Sequence, residues 1–303
     1  MADPIVPFYR LGLVGYPLGH SLSPAMHRAA LQASRLAGAY DLYPVPPEDT
    51  ATLEALVDCL KAGEIHGLNV TIPLKQKLAL LVDGLSPAAR AIGAVNTLAC
   101  RAGQVIGENT DAAGFLSELH RLYPSGGLEA QNRERRALVL GAGGAARAVV
   151  HALSQDGWQV TVAARRPEQA SELAVQLSAD RRDRVQPISL DAASLSRLGQ
   201  VDLLVNATPL GMPPHVASNP WPDETPLPAS ATVYDLIYNP AETALLRLAR
   251  LGGHRAADGA GMLVEQAALS FELWTGCPAP REVMRRALAA ALSDHQTSAE
   301  ITS

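Results

Sequence analysis

The sequence is poor in features that would identify several classes of protein. Its 303 residues contain three cysteines, Cys59, Cys100 and Cys277, which form neither a CxxC pair nor an even-numbered set. This pattern argues against a disulfide framework or a metal site and predicts reduced thiols in a cytoplasmic protein. No apolar run is long enough to span a bilayer, and residues 1–10 lack the basic and apolar regions of a signal peptide, so we expect no membrane segment and no secretion.

Lysine is scarce as well. The 25 Lys and Arg residues include only Lys61, Lys75 and Lys77 as lysines. Arginine keeps its proton in proteins, whereas a lysine can be tuned to release one, so Lys75, placed between a strand pattern and a helix pattern, is a candidate functional residue. A solvated lysine at a helix start is the alternative. The net charge is −5, and acidic residues interrupt the short arginine clusters, so nucleic acid is not an expected partner.

Apolar runs alternate with helical patterns in two separate series. The length exceeds what one core usually organises, and 48% hydrophobic residues supply material for two. Both series, from residue 10 and from residue 137, have the order typical of a mostly parallel sheet, and runs flanking residues 101–103 predict a β-hairpin. The predicted fold class is α/β, with two α/β domains, a cleft between them, and a Rossmann-like doubly wound parallel sheet in the second.

A glycine-rich turn follows the first strand pattern of the second series. Gly141, Gly143 and Ala146 occupy a G-x-G-x-x-G/A frame between an apolar strand and a helix. Glycines let the backbone approach a pyrophosphate, whose charge is stabilised by the helix N-terminus. A further strand follows at the spacing of a dinucleotide-binding fold, so the frame predicts a dinucleotide site rather than a bare tight turn.

The end of that further strand indicates which dinucleotide binds. An NAD site usually has Asp or Glu there, to bind the ribose 2′-hydroxyl. This chain has Ala164, Arg165 and Arg166 instead. A carboxylate would repel a 2′-phosphate, whereas guanidinium groups pair with it. The predicted cofactor is therefore NADP, with ordinary surface arginines as the alternative.

Several motifs in order along the chain resemble the shikimate dehydrogenase family. They are GYPLGHSLSPAMH (15–27), NVTIPLK (69–75), AIGAVNT (91–97), GENTDAAGF (107–115), GAGGAARA (141–148), DLIYNPAETALL (235–246) and GAGMLVEQAA (259–268). The resemblance extends from about residue 10 to residue 290. It implies a substrate-binding catalytic α/β domain at residues 1–112, an NADP-binding Rossmann domain at 113–262, and C-terminal helices at 263–303 that return to the first domain and end in a frayed tail.

The resemblance also implies a role for individual residues. Lys75 and Asp111 match the catalytic pair of the family. The substrate-binding positions, for a carboxylate and ring hydroxyls, are matched by Ser21, Ser23, Asn69, Thr71, Asn96, Tyr238 and Gln266. The NADP-binding positions are matched by Gly141, Ala142, Gly143, Gly144, Ala145, Arg165, Arg166, Thr208, Leu236 and Gly259. The family often has Asn-Arg-Thr where this chain has residues 164–166, so cofactor binding is expected to depend more on charge here.

Each of these residues also has a structural interpretation. Ser21 and Ser23 could cap the helix expected near residue 24, and Asp111 could cap its own helix. Asn96 could simply end a strand. The functional interpretation depends on the joint placement of these residues, which independent caps do not predict. Three histidines share no ligand spacing and are treated as structural: His20, His27 and His66.

The reaction implied by the resemblance is the reversible reduction of 3-dehydroshikimate to shikimate by NADPH, in aromatic amino acid biosynthesis. Lys75 would share or donate the proton, and either Lys75 or Asp111 could be the formal acid-base group. Shikimate and 3-dehydroshikimate are then the small-molecule partners, and either a monomer or a homodimer is compatible with the sequence. The alternatives are a quinate/shikimate dehydrogenase with NAD or dual cofactor use, and a non-catalytic nucleotide-binding sensor on the same fold.

Overall fold

The computed structural model describes residues 8–123, 134–177 and 184–301, with side chains as far as residue 294. The chain divides into two compact units: Met1–Thr110 with Val264–Ser303, and Asp111–Leu263. The first boundary falls two residues before the one expected from the sequence, and the second falls one residue after it. Asp111 is therefore the first residue of the second unit. The polar, glycine-containing stretch at 123–136 is expected from the sequence to connect the two domains, and most of it lies outside the described residues, as do residues 178–183.

The first unit contains a six-stranded mixed sheet. Its strands are β1 (Tyr9–Gly15), β2 (Gly38–Pro44), β3 (Gly67–Val70), β4 (Gly84–Leu85), β5 (Thr97–Arg101) and β6 (Gln104–Glu108), in the order β2-β1-β3-β5-β6-β4. β1 pairs in parallel with β2 and β3, whereas β5 is antiparallel to both β3 and β6. The predicted hairpin is confirmed: Ala102 and Gly103 both have positive φ angles, 51° and 78°, as a two-residue hairpin turn requires.

Six helices contribute to the first unit. They are α1 (Ser23–Ala33), α2 (Thr50–Lys61), α3 (Lys75–Ala79), α4 (Pro87–Ile92), α10 (Ala260–Thr275) and α11 (Arg281–Ile301), although the first four residues of α10 belong to the second unit. α11 packs against α1, and Trp274 of α10 donates from its indole nitrogen to the carbonyl oxygen of Leu98 on β5, 3.0 Å away. The chain thus returns to its first sheet after forming the second unit.

The last helix extends into the polar C-terminal segment, as far as Ile301. The frayed tail expected at residues 294–303 stays a prediction. Extending a helix that already exists adds one hydrogen bond for each residue ordered, while only the first turn is unfavourable to form. The polar composition of this segment therefore does not end the helix, and only residues 302–303 lie outside the description.

The second unit contains a six-stranded, entirely parallel sheet. Its strands are β7 (Arg136–Leu140), β8 (Gln159–Ala164), β9 (Val185–Ser189), β10 (Leu203–Asn206), β11 (Thr232–Asp235) and β12 (Ala256–Ala257), in the order β12-β11-β10-β7-β8-β9. This is the strand order of the dinucleotide-binding fold, with the switch point between β7 and β10. The helices are α5 (Thr110–Leu122), α6 (Gly144–Gln155), α7 (Pro167–Leu177), α8 (Ala192–Leu195) and α9 (Ala244–Leu251).

The core of the second unit explains why its strands are continuous apolar runs. Leu138, Leu204 and Val233, from three adjacent strands, are fully buried together with Leu245 and Leu246 of α9. Strands covered by helices on both faces need apolar side chains at every position. The proline-rich segment at 209–228 contains neither helix nor strand, since proline lacks the backbone donor that both need. Within the described parts of the chain, no helix is long and apolar enough to cross a membrane.

Candidate active site

The carboxyl ends of β1 and β3 lie side by side in the first unit. The strands pair in parallel with Val14 opposite Val70, and the backbone nitrogen of Thr71 donates to the carbonyl oxygen of Val14, 2.9 Å away. Gly15 permits this approach, because a Cβ atom there would collide with the methyl group of Thr71. The polar segments that follow the two strands therefore leave the sheet at the same edge.

The two serines that follow β1 are not ordinary helix caps. α1 begins at Ser23 after Leu22, and no side chain caps its N-terminus. The hydroxyl of Ser21 lies 3.4 Å from the backbone nitrogen of Ser23, a long contact. Ser23 is buried and Ser21 is half-buried. The capping alternative thus has little support, which favours the interpretation that these hydroxyls bind a ligand.

Lys75 is the first residue of α3, the short helix that follows β3. The backbone nitrogen of Val95 donates to its carbonyl oxygen at 3.0 Å, which anchors the start of this short helix. The other two lysines have structural partners: Lys77 donates to the carbonyl oxygen of Pro47 at 2.6 Å, and Lys61 pairs with Asp83 at 3.0 Å. Lys61 and Lys77 are therefore each held by groups distant in sequence.

Three amide side chains that are distant in sequence meet inside the first unit. Asn69 lies on β3, Asn96 precedes β5, and Gln266 lies on α10. The Nδ2 atom of Asn69 donates to the carbonyl oxygen of Asn96 at 3.2 Å, and the Nδ2 atom of Asn96 lies 3.4 Å from the Oε1 atom of Gln266. All three match proposed substrate-binding positions, so the first unit by itself brings together most of that set.

Two candidate residues belong to the second unit. Asp111 is buried in the first turn of α5 rather than at the cap position, where a carboxylate is favoured by the positive end of the helix dipole. Tyr238 follows β11, and burial raises the pKa of its phenol, so the hydroxyl keeps its proton at neutral pH. Asp111 therefore offers an acceptor and Tyr238 a donor.

The glycine frame has the conformation that a phosphate-binding turn needs. Gly141 has a φ angle of 104°, which disfavours any side chain, and a Cβ atom there would lie 3.1 Å from the carbonyl oxygen of Ala207. Gly143 precedes the first residue of α6, and a Cβ atom there would point into open space. The site therefore fits a pyrophosphate, because the open position beside Gly143 lies at a helix N-terminus. Ala142, Gly144 and Ala145 complete this turn.

The two arginines after β8 remain accessible. Arg165 and Arg166 are both exposed. Neither guanidinium group has an ion pair or a hydrogen bond within the described residues, whereas the arginines of α11 pair with nearby glutamates. Since exposed guanidinium groups can pair bidentately with a phosphate, this end of β8 fits a nucleotide that carries a 2′-phosphate.

A buried carboxylate organises the remaining cofactor-binding candidates. Asp235, at the end of β11, accepts hydrogen bonds from Asn206 Nδ2 at 2.9 Å and from Thr243 Oγ1 at 2.7 Å. Asn206 in turn accepts from the backbone nitrogen and hydroxyl of Thr208. Burial is the main reason that the pKa of Asp235 rises to about 6. Asp235, Asn206 and Thr243 are residues that sequence reasoning missed, and their only signal was their place near strand ends.

Leu236 and Gly259 meet at close range within the second unit. A Cβ atom at position 259 would collide with the carbonyl oxygen of Leu236, and the backbone nitrogen of Gly259 donates to the carbonyl oxygen of Ile237 at 3.0 Å. Glycine is therefore required at this position by packing alone. The contact brings together two candidates that are 23 residues apart in the sequence.

The three histidines occupy unrelated places. His27 is buried with its ring stacked on Tyr40, and burial lowers its pKa to about 3. His66 accepts a hydrogen bond from the backbone nitrogen of Arg10 at 3.1 Å, while His20 is exposed. Over the part of the chain whose side chains are described, no group of three or more His, Cys, Asp or Glu residues could hold a metal ion.

These features define a class of protein. A parallel sheet in dinucleotide-binding order carries a glycine turn and accessible arginines. A separate α/β unit carries a lysine at the start of the short helix that follows β3, the strand of Asn69. This combination is that of a two-domain dinucleotide-dependent oxidoreductase. Comparisons with known proteins identify the family within that class.

Family models match three parts of the chain. Residues 13–98 match the shikimate dehydrogenase substrate binding domain, and residues 259–289 match the shikimate 5′-dehydrogenase C-terminal domain. Residues 137–215 match the saccharopine dehydrogenase NADP binding domain. The curated shikimate dehydrogenase (NADP(+)) of Shouchella clausii is 42% identical over 277 residues, which is 91% of this chain and 96% of that protein. The chain belongs to the shikimate dehydrogenase family.

Solved structures agree with this assignment. The shikimate 5-dehydrogenase of Thermus thermophilus in complex with NADP(H) and shikimate is 36% identical, with a TM-score of 0.80 over 93% of this chain and 99% of that one. The quinate dehydrogenase of Corynebacterium glutamicum in complex with NAD is 33% identical, with a TM-score of 0.82 over 94% of this chain and all of that one. The fold is therefore shared by relatives that differ in substrate and cofactor.

Proposed function

We propose that this chain catalyses the reversible, NADP-dependent interconversion of 3-dehydroshikimate and shikimate. The observation that carries the proposal is the arrangement at the ends of β1 and β3, where Ser21, Ser23, Thr71 and Lys75 follow two neighbouring parallel strands. Hydroxyl groups there can bind a carboxylate, and a lysine is close in sequence to serve a reacting oxygen. The near full-length likeness to curated shikimate dehydrogenases supports the same substrate.

The residues of the first unit bind and orient the ring in this proposal. Ser21 and Ser23 donate hydrogen bonds to the substrate carboxylate. Asn69, Asn96 and Gln266 contact ring hydroxyls, and because the two asparagines are nearly fully buried, these hydrogen bonds form where water competes poorly. Thr71 adds a hydroxyl group, and Tyr238 stays a proposed substrate-binding residue. Directional contacts of this kind select a ring by the placement of its hydroxyl groups.

Lys75 and Asp111 manage the proton. Lysine side chains are ordinarily protonated at neutral pH, so Lys75 can donate to the oxygen that gains negative charge when the ketone is reduced. Asp111, buried in the first turn of α5, is the acceptor of the proposed catalytic pair. In the reverse direction Lys75 accepts the proton of the hydroxyl group.

The second unit holds the cofactor in this proposal. The turn from Gly141 to Ala145 binds the pyrophosphate, Arg165 and Arg166 pair with the 2′-phosphate, and Thr208, Leu236 and Gly259 contact the remainder. Bound NADPH supplies the hydride for the reduction. The two exposed arginines, which have no side-chain partner within the described residues, favour NADP over NAD, the cofactor in the quinate dehydrogenase structure.

Initial rates measured with shikimate and with quinate, each with NADP and with NAD, test the proposal. We expect the highest kcat/KM for shikimate with NADP. A higher kcat/KM for quinate with NAD would establish the quinate/shikimate alternative, and absence of turnover with all four pairs would establish a non-catalytic sensor. The cytoplasmic location stays a prediction, as does the choice between monomer and homodimer.

A further inference from the structure

A network of buried hydroxyl and amide groups surrounds Asn69 in the first unit. Tyr40 on β2, Thr97 on β5 and Ser270 on α10 are all fully buried, and Asn69 is 5% exposed. The Asn69 side chain contacts each of them: Oδ1 lies 2.8 Å from the Tyr40 hydroxyl, and Nδ2 lies 3.2 Å from Thr97 Oγ1 and 3.0 Å from Ser270 Oγ. We call Tyr40, Asn69, Thr97 and Ser270 the Asn69 network.

A backbone partner determines which way the Asn69 amide faces. Its Nδ2 atom lies 3.2 Å from the carbonyl oxygen of Asn96, which can only accept a hydrogen bond. The nitrogen must therefore be on that side, and the oxygen must face Tyr40. The reversed amide would place two acceptors against each other and leave a buried nitrogen facing the proton of the tyrosine.

Tyr40 is itself held firmly. Its ring stacks on the ring of His27, with the centroids 4.4 Å apart and the planes 3° from parallel. Burial raises the pKa of the Tyr40 phenol well above its usual value, so the hydroxyl retains its proton and donates to Asn69. His27 is neutral at physiological pH because burial lowers its pKa to about 3. The stack is thus a contact between two uncharged rings.

Ser270 serves as an acceptor for Asn69. Its hydroxyl can donate to the carbonyl oxygen of Gln266 at 3.0 Å, within α10. With its single proton used there, the oxygen can accept from Asn69 Nδ2 and from Thr97, whose hydroxyl is 2.7 Å away. Ser270 therefore connects Asn69 to the helix that carries Gln266, so one hydroxyl ties two proposed substrate-binding residues to each other.

We infer that Tyr40 and Ser270 are positioning residues, which hold the Asn69 amide so that it meets the substrate as a hydrogen-bond acceptor. This inference rests on the proposed function. Both protons of Nδ2 face acceptors of the protein, whereas Oδ1 accepts from Tyr40 at 2.8 Å and has a second lone pair that can accept another hydrogen bond. A hydroxyl group of the substrate therefore donates to Asn69. A ligand that presents only an acceptor at this point is rejected, because two acceptors would face each other in a buried place.

The test replaces each hydroxyl and uses matched controls. Tyr40→Phe removes the donor to Asn69 with little change in shape, and Tyr234→Phe is its control, because Tyr234 is also fully buried but its hydroxyl makes no hydrogen bond within the described residues. Ser270→Ala removes the acceptor. Its control is Ser154→Ala, since the buried Ser154 hydroxyl likewise has no partner there. Thermal unfolding checks that all four variants fold.

We expect Tyr40→Phe to raise the KM for shikimate about 3- to 10-fold, the effect of losing one neutral hydrogen bond. Ser270→Ala should raise it less, because Asn69 Nδ2 keeps Asn96 and Thr97 as acceptors. The KM for NADP and kcat should stay within about twofold, since a contact made equally in the ground and transition states changes KM alone. Both controls should resemble the wild type.

A double-mutant experiment separates positioning from general destabilisation. In an Asn69→Ala background, Tyr40→Phe should have no further effect on the KM for shikimate, because the two residues act through one side chain. An additive effect in that background, or equal effects of Tyr40→Phe and Tyr234→Phe, would overturn the inference and leave the proposed function intact. Absence of wild-type turnover with shikimate and NADP would overturn both.

Discussion

The two units present opposite kinds of polar surface to their proposed ligands. In the first unit the recognition groups are neutral amides and hydroxyls, buried and connected to one another, as in the Asn69 network. In the second unit they are the backbone of a glycine turn and two exposed arginines without partners in the described residues. A ring with several hydroxyl groups is recognised by the directions of its hydrogen bonds, which requires protein side chains that are buried and held in one orientation. A phosphate is distinguished by charge, which can act from an exposed position.

This difference has a consequence for evolution within one fold. Exchange of exposed side chains at the end of β8 can change the cofactor without disturbing any packing. Exchange of a group in the Asn69 network leaves a buried donor or acceptor unpaired, which typically costs about 1–3 kcal/mol. Cofactor preference is therefore expected to vary more readily than substrate preference among proteins with this fold.

The largest expected effect concerns the two residues that manage the proton, one in each unit. Lys75→Ala should lower kcat at least about 100-fold, since acid-base groups typically supply about 10²–10⁴-fold, and Asp111→Asn should act similarly. Lys61→Ala is the control, because Lys61 forms a surface ion pair with Asp83. Steady-state rates with shikimate and NADP measure the effect. Near wild-type turnover in both variants would show that Lys75 and Asp111 are structural and not catalytic residues.

The next effect tests recognition by exposed charge. Arg165→Ala should reduce the preference for NADP over NAD about 10- to 150-fold, from the roughly 1.5–3 kcal/mol of a charge-assisted hydrogen bond. Arg166→Ala should do less, because the family often has a neutral residue there. Arg197→Ala, at an exposed arginine of the same unit, should change nothing. The measurement is the ratio of kcat/KM for the two cofactors.

Ionic strength provides a second test of how the two units recognise their ligands. The wild-type preference for NADP should shrink as ionic strength rises, since exposed charges are screened over about 8–10 Å. The KM for shikimate should respond less where the neutral buried groups of the first unit dominate. Equal kcat/KM values for NADP and NAD at low salt would show that Arg165 and Arg166 are ordinary surface charges.

Lowering the pH should change the stability contributed by one buried residue of each unit, in opposite directions. The pKa of His27, in the first unit, is lowered by burial to about 3 from a usual 6.5, so the stability it contributes is present above pH 6.5 and is lost as the pH falls. The pKa of Asp235, in the second unit, is raised to about 6, so the stability it contributes is present below its usual value of 3.8 and is lost as the pH rises through 6.

Urea unfolding between pH 7 and pH 5 tests both predicted changes in the free energy of unfolding. Relative to His27→Phe, the wild type should lose about 2 kcal/mol of unfolding free energy from pH 6.5 to pH 5. Relative to Asp235→Asn, the wild type should gain about 1 kcal/mol from pH 6 to pH 5. Asp235 also accepts from the backbone nitrogen of Ile237, and asparagine can keep this contact and those with Asn206 and Thr243 if the Thr243 hydroxyl turns to accept. Parallel slopes for the two variants would contradict the assigned protonation states.

A further expected effect concerns the glycine turn. Gly143→Ala should weaken NADP binding about tenfold, roughly 1.4 kcal/mol, because the added methyl group points into the open space proposed for the pyrophosphate. Its φ angle of −77° suits alanine, so the free energy of unfolding should change by no more than about 0.5 kcal/mol. Titration with NADP and thermal unfolding measure the two quantities. Unchanged NADP affinity would place the pyrophosphate elsewhere.

Local chemistry explains what could be predicted from the sequence. The glycine frame and the paired arginines depend on residues that are neighbours in the chain, so their meaning is readable without a fold. The parallel strand β9 was not anticipated, because Gln186 and Pro187 weaken its strand pattern, yet an edge strand tolerates proline. The end of α11 could not be read from the sequence, because its polar residues carry no periodic signal although they extend a helix that is already formed.

The sequence by itself determined the α/β class, the two-sheet organisation, the position of the phosphate-binding turn and the candidate residues of the site. Only the tertiary structure decided which of these candidates have their orientation imposed by neighbours. Asn69 and Ser270 are 201 residues apart, and their hydrogen bond exists only because α10 returns to the first unit. A hydrogen bond depends on distance and angle in space, and neither quantity is encoded by spacing along the chain.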